Sequence, residues 1–168
     1  MTDTREVEMV TLTIDGTEIE VPASTTILQA AQGIGTEVPH YCYHPGLSSP
    51  AMCRLCLVEV EGGPKLLPSC TTEVAAGQVV HTQSESALGM RRGVLEFYLA
   101  NHPLDCPICD QSGECDLQDY VFEGGREHGR SREAKRVFGR DDFGGDVLFH
   151  GDRCVMCTRC VRFMTEVE

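Results

Sequence analysis

Cysteine thiolates are the side chains best suited to hold redox-active metal, and here they are grouped rather than scattered. Cys42, Cys53, Cys56 and Cys70 make a first set, Cys106, Cys109 and Cys115 with His102 just ahead make a second, and Cys154, Cys157 and Cys160 make a third. These sets use all 10 cysteines of the 168-residue chain. Met1 to Glu8 has neither the apolar stretch of a secretory signal nor the Arg-rich character of a transit peptide. The sequence therefore places the chain in a reducing, cytoplasmic compartment, where Cys-x-x-Cys pairs hold metal or do redox work more often than they form disulfides.

The spacings narrow the chemistry. Cys53-x-x-Cys56 with two remote partners, Cys42 and Cys70, suits a [2Fe-2S] cluster in which each iron takes two thiolates and a loop wraps the bridging sulfides. Structural zinc is the alternative, although zinc sites usually present two close pairs and this set has one. His40 and His44 flank Cys42 and echo half of a Rieske site, but the later close pair is Cys-Cys rather than Cys-His, so both read as hydrogen-bonding loop residues. The second set, taken alone, fits a structural zinc with three thiolates and one imidazole as well as it fits a cluster. The third, Cys154-Val-Met-Cys157-Thr-Arg-Cys160, offers three corners of a [4Fe-4S] cube from one tight turn. Its fourth ligand is missing, because no cysteine remains in the chain to complete it.

These sets need elements to position them. Val10 to Ile14 alternates apolar and polar residues, Asp15-Gly16 supplies a two-residue turn, and Ile19 and Val21 resume the alternation, which predicts a β-hairpin. Thr26 and Gln29 fit a capping box ahead of a short helix that stops near Gly33. Strand-like runs at 55–60, 65–68 and 78–82 complete a small sheet. From Ser84 to Asn101 the apolar residues recur at helical spacing, so Met90 and Phe97 read as core residues along with Ala87, Val94 and Leu95. A shorter helix is predicted over 114–122, and Val147 to Phe149 reads as a short strand. Between Arg126 and Arg140 six basic residues predict a solvated linker or a strip facing another subunit.

The formal charge of −12 disfavours nucleic acid as a partner, and no apolar run is long enough to span a membrane. Nothing matches G-x-G-x-x-G, a Walker loop or H-E-x-x-H, so no nicotinamide, flavin or catalytic zinc site is expected.

Five segments together carry a resemblance: Cys53-Arg-Leu-Cys56-Leu-Val-Glu-Val60, Lys65-Leu-Leu-Pro-Ser-Cys70, Asn101-His-Pro-Leu-Asp-Cys106-Pro-Ile-Cys109, Gly113-Glu-Cys115-Asp-Leu-Gln-Asp119 and Asp152-Arg-Cys154-Val-Met-Cys157-Thr-Arg-Cys160-Val-Arg162. In this order they resemble the large iron-sulfur subunit of respiratory complex I, known in the bacterial NADH:quinone oxidoreductase as its G subunit. The resemblance implies an α+β fold. A ferredoxin-like β-grasp domain with a [2Fe-2S] cluster occupies 1–83, a [4Fe-4S] segment with one histidine and three cysteine ligands occupies 84–125, and 126–168 is a linker and the start of an all-cysteine [4Fe-4S] domain, truncated here. It assigns Cys42, Cys53, Cys56 and Cys70 to the first centre, His102, Cys106, Cys109 and Cys115 to the second, and Cys154, Cys157 and Cys160 to the third.

The function so implied is relay of single electrons from a flavin-bearing, NADH-oxidising neighbour toward a quinone-side partner, as a subunit of an enzyme and without catalytic residues of its own. The complex would hold the chain on the cytoplasmic face of the inner membrane. Iron-sulfur subunits of NAD-linked hydrogenases or formate dehydrogenases share the layout and are the nearest alternative, and a zinc-stapled interaction module is the alternative of another class.

Overall fold

The computed structural model describes residues 8–168; residues 1–7, which open the expected first domain and make up most of the polar N-terminal stretch, lie outside the described residues. Strand β1 (Met9–Ile14) buries Val10, Leu12 and Ile14 on one face and turns back into β2 (Thr17–Pro22). The turn falls on Asp15 and Gly16, both with positive φ, the two left-handed positions that a two-residue hairpin requires. A mixed sheet follows in the order β2-β1-β5-β3-β4, built with β3 (Leu57–Val60), β4 (Leu67–Pro68) and β5 (Val79–His81). Only β1 and β5 run parallel, which is the pairing expected of a β-grasp sheet.

Helix α1 (Ile27–Gly33) crosses this sheet and buries Ile27, Leu28, Ala30 and Ala31. Its capping box is present: the Thr26 side chain accepts from the Gln29 N–H, and the Gln29 side chain accepts from the Thr26 N–H. The Ile27 and Leu28 N–H groups donate to the Thr72 and Ser69 carbonyls, which ties the helix start to the segment carrying Cys70.

Helix α2 (Glu85–Asn101) is capped by Ser84 and ends at His102, ahead of Pro103. Its inward face is Ala87, Arg91 and Leu95, a four-residue repeat. The expectation that Met90 and Phe97 are core residues is corrected by this face: they lie off it and are 48% and 83% exposed. A single 3-10 turn at Cys106–Ile108 leads to α3 (Asp116–Gly124), with Cys115 at its N-cap.

Beyond residue 125 the chain makes a hairpin of β6 (Arg140–Asp142) and β7 (Leu148–His150), then a 3-10 turn and α4 (Arg159–Glu166). The sequence pattern predicts neither β6 nor α4. The basic stretch is irregular, but much of it is tied back to α2. Arg126 and Arg130 pair with Glu96, and Lys135 donates to the carbonyls of Leu99 and Ala100 at the helix C-terminus, where positive charge is favoured.

Two apolar clusters result. The first lies between sheet and α1 and contains Leu12, Ile14, Ile27, Leu28, Val58 and Val80 together with Cys56 and Cys70. The second joins Tyr41, Leu55, Leu95, Leu117 and Tyr120 with Cys42 and Cys53, and Cys115 and Cys157 pack against it.

Candidate iron-sulfur sites

The first cysteine set sits on the seam of those two clusters. Cys56 precedes β3, Cys70 follows β4, and Cys42 and Cys53 come from the irregular loop between α1 and β3. All four are at most 4% exposed. Left-handed backbone at Ala51 and Arg54 bends the loop around the close pair. The thiols form a closed ring of side-chain hydrogen-bonding neighbours, Cys42 to Cys53 to Cys56 to Cys70 and back to Cys42.

This ring settles its protons unequally. Hydrogen bonds from Cys42 and Cys56 hold Cys53 far below the usual thiol range, and the same network, led by Cys42 for Cys70 and by Cys53 for Cys56, pushes Cys70 and Cys56 upward. Four buried thiols at one place cannot all ionise without a positive charge among them. The Tyr41 N–H also donates to the Cys53 sulfur at 3.5 Å, the kind of contact that tunes a cluster's sulfurs. In donor type, burial and number the set fits a [2Fe-2S] core.

The second set converges on one small cavity, lined by His102, Cys106, Cys109 and Cys115 with Asp105 and Arg153 beside them. His102 stands where α2 stops because Pro103 cannot continue it, the 3-10 turn carries Cys106, and Cys115 opens α3. Burial lowers the His102 pKa and so favours neutral imidazole, the form whose lone pair can bind metal. In donor type, one imidazole and three thiols around a shared space suit an iron-sulfur core. Arg153 closes the rim, with Nη2 2.6 Å from Asp105 and 3.3 Å from the Ile108 carbonyl.

The third set is not drawn together. Cys154 lines a groove of about 580 Å3 that also takes in Cys53, Tyr98, His102, Phe138 and Met156. Cys160 faces a separate shallow groove with Leu47, Phe163 and Met164, and Cys157 packs on the second apolar cluster. The local backbone nevertheless curls around sulfur: Met156 and Thr158 are left-handed, and the Met156 N–H donates to the Cys154 sulfur at 3.3 Å. No three His, Cys, Asp or Glu side chains among the described residues are arranged for a single metal ion.

His40 and His44 make the local hydrogen bonds expected of loop residues. Nδ1 of His40 lies 2.8 Å from the Val38 carbonyl, and Nδ1 of His44 accepts from the Gly46 N–H. Sequence reasoning misses Arg91, Arg153 and Arg162, which bind the loops carrying the cysteines. A charged residue at the inward repeat of α2 is the one available signal, for Arg91.

Comparison with known proteins agrees with this arrangement. A family described as a 2Fe-2S iron-sulfur cluster binding domain matches residues 7–85, and the NADH-ubiquinone oxidoreductase-G iron-sulfur binding region matches residues 91–130. Among curated proteins, the NADH-quinone oxidoreductase G subunit of Rickettsia bellii is 49% identical over 160 residues, covering 95% of this chain and 23% of that protein. The corresponding G subunit of Mycobacterium bovis is 48% identical over 163 residues, covering 95% of this chain and 20% of that protein. The NADH-ubiquinone oxidoreductase 75 kDa subunit of Reclinomonas americana is 49% identical over 159 residues, with 95% and 23% covered. The chain thus spans about a quarter or less of the length of these relatives. A chain in the crystal structure of an NAD+-reducing [NiFe]-hydrogenase in the H2-reduced state superposes with a TM-score of 0.84 at 31% identity, over 94% of this chain and 67% of that one.

Proposed function

Because the chain belongs to the family of NADH-quinone oxidoreductase G subunits, which are iron-sulfur proteins, we propose that it relays single electrons within such a complex, from an NADH- and flavin-bearing neighbour toward a quinone-side partner. Cys42, Cys53, Cys56 and Cys70 are assigned to a [2Fe-2S] centre, His102, Cys106, Cys109 and Cys115 to a [4Fe-4S] centre, and Cys154, Cys157 and Cys160 to three of the four ligand positions of a second [4Fe-4S] centre. The same assignment divides the chain at 1–83, 84–125 and 126–168.

The observation that carries the relay reading is the second apolar cluster. It contains Cys42 and Cys53 of the first set, and Cys115 of the second and Cys157 of the third pack against it. One apolar core therefore touches all three sets, and it anchors at least one cysteine of each. When bound, the clusters supply the one-electron step. The chain's own residues hold the thiolates, donate N–H groups to sulfur from Tyr41 and Met156, and keep His102 neutral.

No helix among the described residues is long and apolar enough to cross a membrane. Attachment through the other subunits, on the cytoplasmic face, accounts for the expected location. The hydrogenase neighbour supports a second reading, in which the same relay serves an NAD-linked hydrogenase. Affinity purification of the full-length protein from its own cells separates the two. Co-purification of quinone-reducing, NADH-oxidising subunits supports the first reading, and hydrogen-dependent NAD+ reduction by the purified assembly replaces it with the second.

A further inference from the structure

Among the described residues Arg91 and Arg162 are the two arginines that are buried, and both lie against the loops of the first cysteine set. Arg91, on α2, donates through Nε to the Leu55 carbonyl at 3.3 Å and through Nη2 to the Thr82 carbonyl at 2.9 Å. Leu55 immediately precedes Cys56. Arg162, on α4, donates to the carbonyls of Ser48, Cys42 and Cys157, and its Nε lies 3.2 Å from the Thr158 hydroxyl.

Every one of these partners is uncharged. The arginines that do form ion pairs among the described residues are Arg126, Arg130 and Arg153. The acidic groups nearest in effect make no ion pair with either arginine and sit at exposed positions where water screens their charge: Asp15, facing Arg91, accepts from the Thr82 N–H and hydroxyl, and Glu166, near Arg162, accepts from the Ser48 N–H and hydroxyl. A guanidinium does not give up its proton, and a buried charge whose only counter-charge is an unpaired, solvent-screened carboxylate is unfavourable. A negative group at the thiol quartet, whose loops both arginines bind, would compensate them. Four thiolates around an iron-sulfide core are such a group.

We propose that Arg91 and Arg162 are the built-in counter-charges of the first centre, tuning residues that hold its reduction potential up, and that Arg162, through its reach to Cys157, couples that centre to the third cysteine set. This inference rests on the relay reading and deepens it. Reduction adds negative charge to the site, so a fixed cation nearby stabilises the reduced state more than the oxidised one. Burial strengthens that interaction and protects it from salt screening.

The test is a redox titration of the anaerobically prepared protein, following the paramagnetic signal of the first centre, in the parent, Arg162→Gln, Arg162→Lys, Arg91→Gln and Arg91→Lys. Both Gln variants are expected to move the midpoint to more negative potential, and both Lys variants, which keep the charge, are expected to stay closer to the parent. Equal shifts for Gln and Lys, or no shift for either, overturn the proposal in favour of simple carbonyl capping. Iron content is measured on the same samples for the case in which a variant does not hold its cluster. Loss of iron from a Gln variant while its Lys counterpart keeps it supports the need for charge, and equal loss from both overturns it. Failure of the parent itself to bind iron defeats the relay reading instead, so the two failures are distinguishable.

Discussion

The first and third cysteine sets differ in how much of each site the polypeptide builds unaided. Cys42, Cys53, Cys56 and Cys70 are at most 4% exposed and are pinned between two apolar clusters, with β3 starting just after Cys56 and β4 ending just before Cys70. Cys154 and Cys160 are exposed and face different grooves. A site whose ligands hang on a sheet is preorganised by the same burial that folds the domain, whereas a site carried on one turn and a two-turn helix depends on what is bound to it. The second set is intermediate, a loop site with fixed ends at the C-terminus of α2 and the N-terminus of α3.

The sharpest way to break that contrast is to remove one ligand from each region. Cys56→Ser is expected to abolish the spectroscopic signature of the first centre, whereas Cys154→Ser should leave that signature at parental intensity; electron paramagnetic resonance of the reduced proteins reads both. Equal loss in the two variants would mean that the sites assemble as one unit.

Packing should show the same asymmetry. Leu12→Ala removes a fully buried side chain from the sheet core and is expected to cost about 2–5 kcal/mol in chemical denaturation, while Phe138→Ala, at a 78% exposed position, should stay within about 0.5 kcal/mol. A comparable cost at Phe138 would show that the 126–168 region is as tightly folded as the sheet.

His102→Cys sharpens the comparison at the intermediate site. Replacing a neutral ligand by a thiolate should retain the cluster and move its midpoint negative, and an unchanged redox titration would take His102 off the ligand set.

The smallest effect is expected at the tie between the basic stretch and α2. Hydrogen bonds from Arg130 hold the Glu96 carboxyl at about 2, below its ordinary value of 4.5. A depressed carboxyl contributes above its ordinary pKa and loses that contribution as pH falls through the depressed one, so the tie is intact at neutral pH and is lost between about 4.5 and 2. Glu96→Gln imitates that loss at neutral pH and should accelerate tryptic cleavage at Arg130 and Arg132 with little change in overall stability; an unaltered cleavage rate would show that the stretch is held by other contacts.

Legibility in the sequence follows how local each signal is. The Asp15-Gly16 turn, the Thr26 and Gln29 capping box and the Ser84-to-Asn101 helix are written within a few residues of where they act, and each is found in place. The cysteine spacings pick out three sets, of which the fold converges the first two. What stays hidden depends on distant partners. Arg162 is buried because its guanidinium meets the carbonyls of Ser48 and Cys42, residues 114 and 120 positions away, and Phe97 is exposed because Arg91 takes the inward place on α2. Helix α4, at eight residues, is too short for its apolar period to stand out, and its left-handed N-cap, Thr158, carries no cap hydrogen bond.

The central claim is that these ligand sets enclose iron-sulfide cores rather than zinc. Quantifying iron, acid-labile sulfide and zinc in protein purified without oxygen tests it most directly. The account predicts iron and sulfide in equal amounts, with at least the two irons of the first centre per chain and negligible zinc; stoichiometric zinc with neither iron nor sulfide would contradict it.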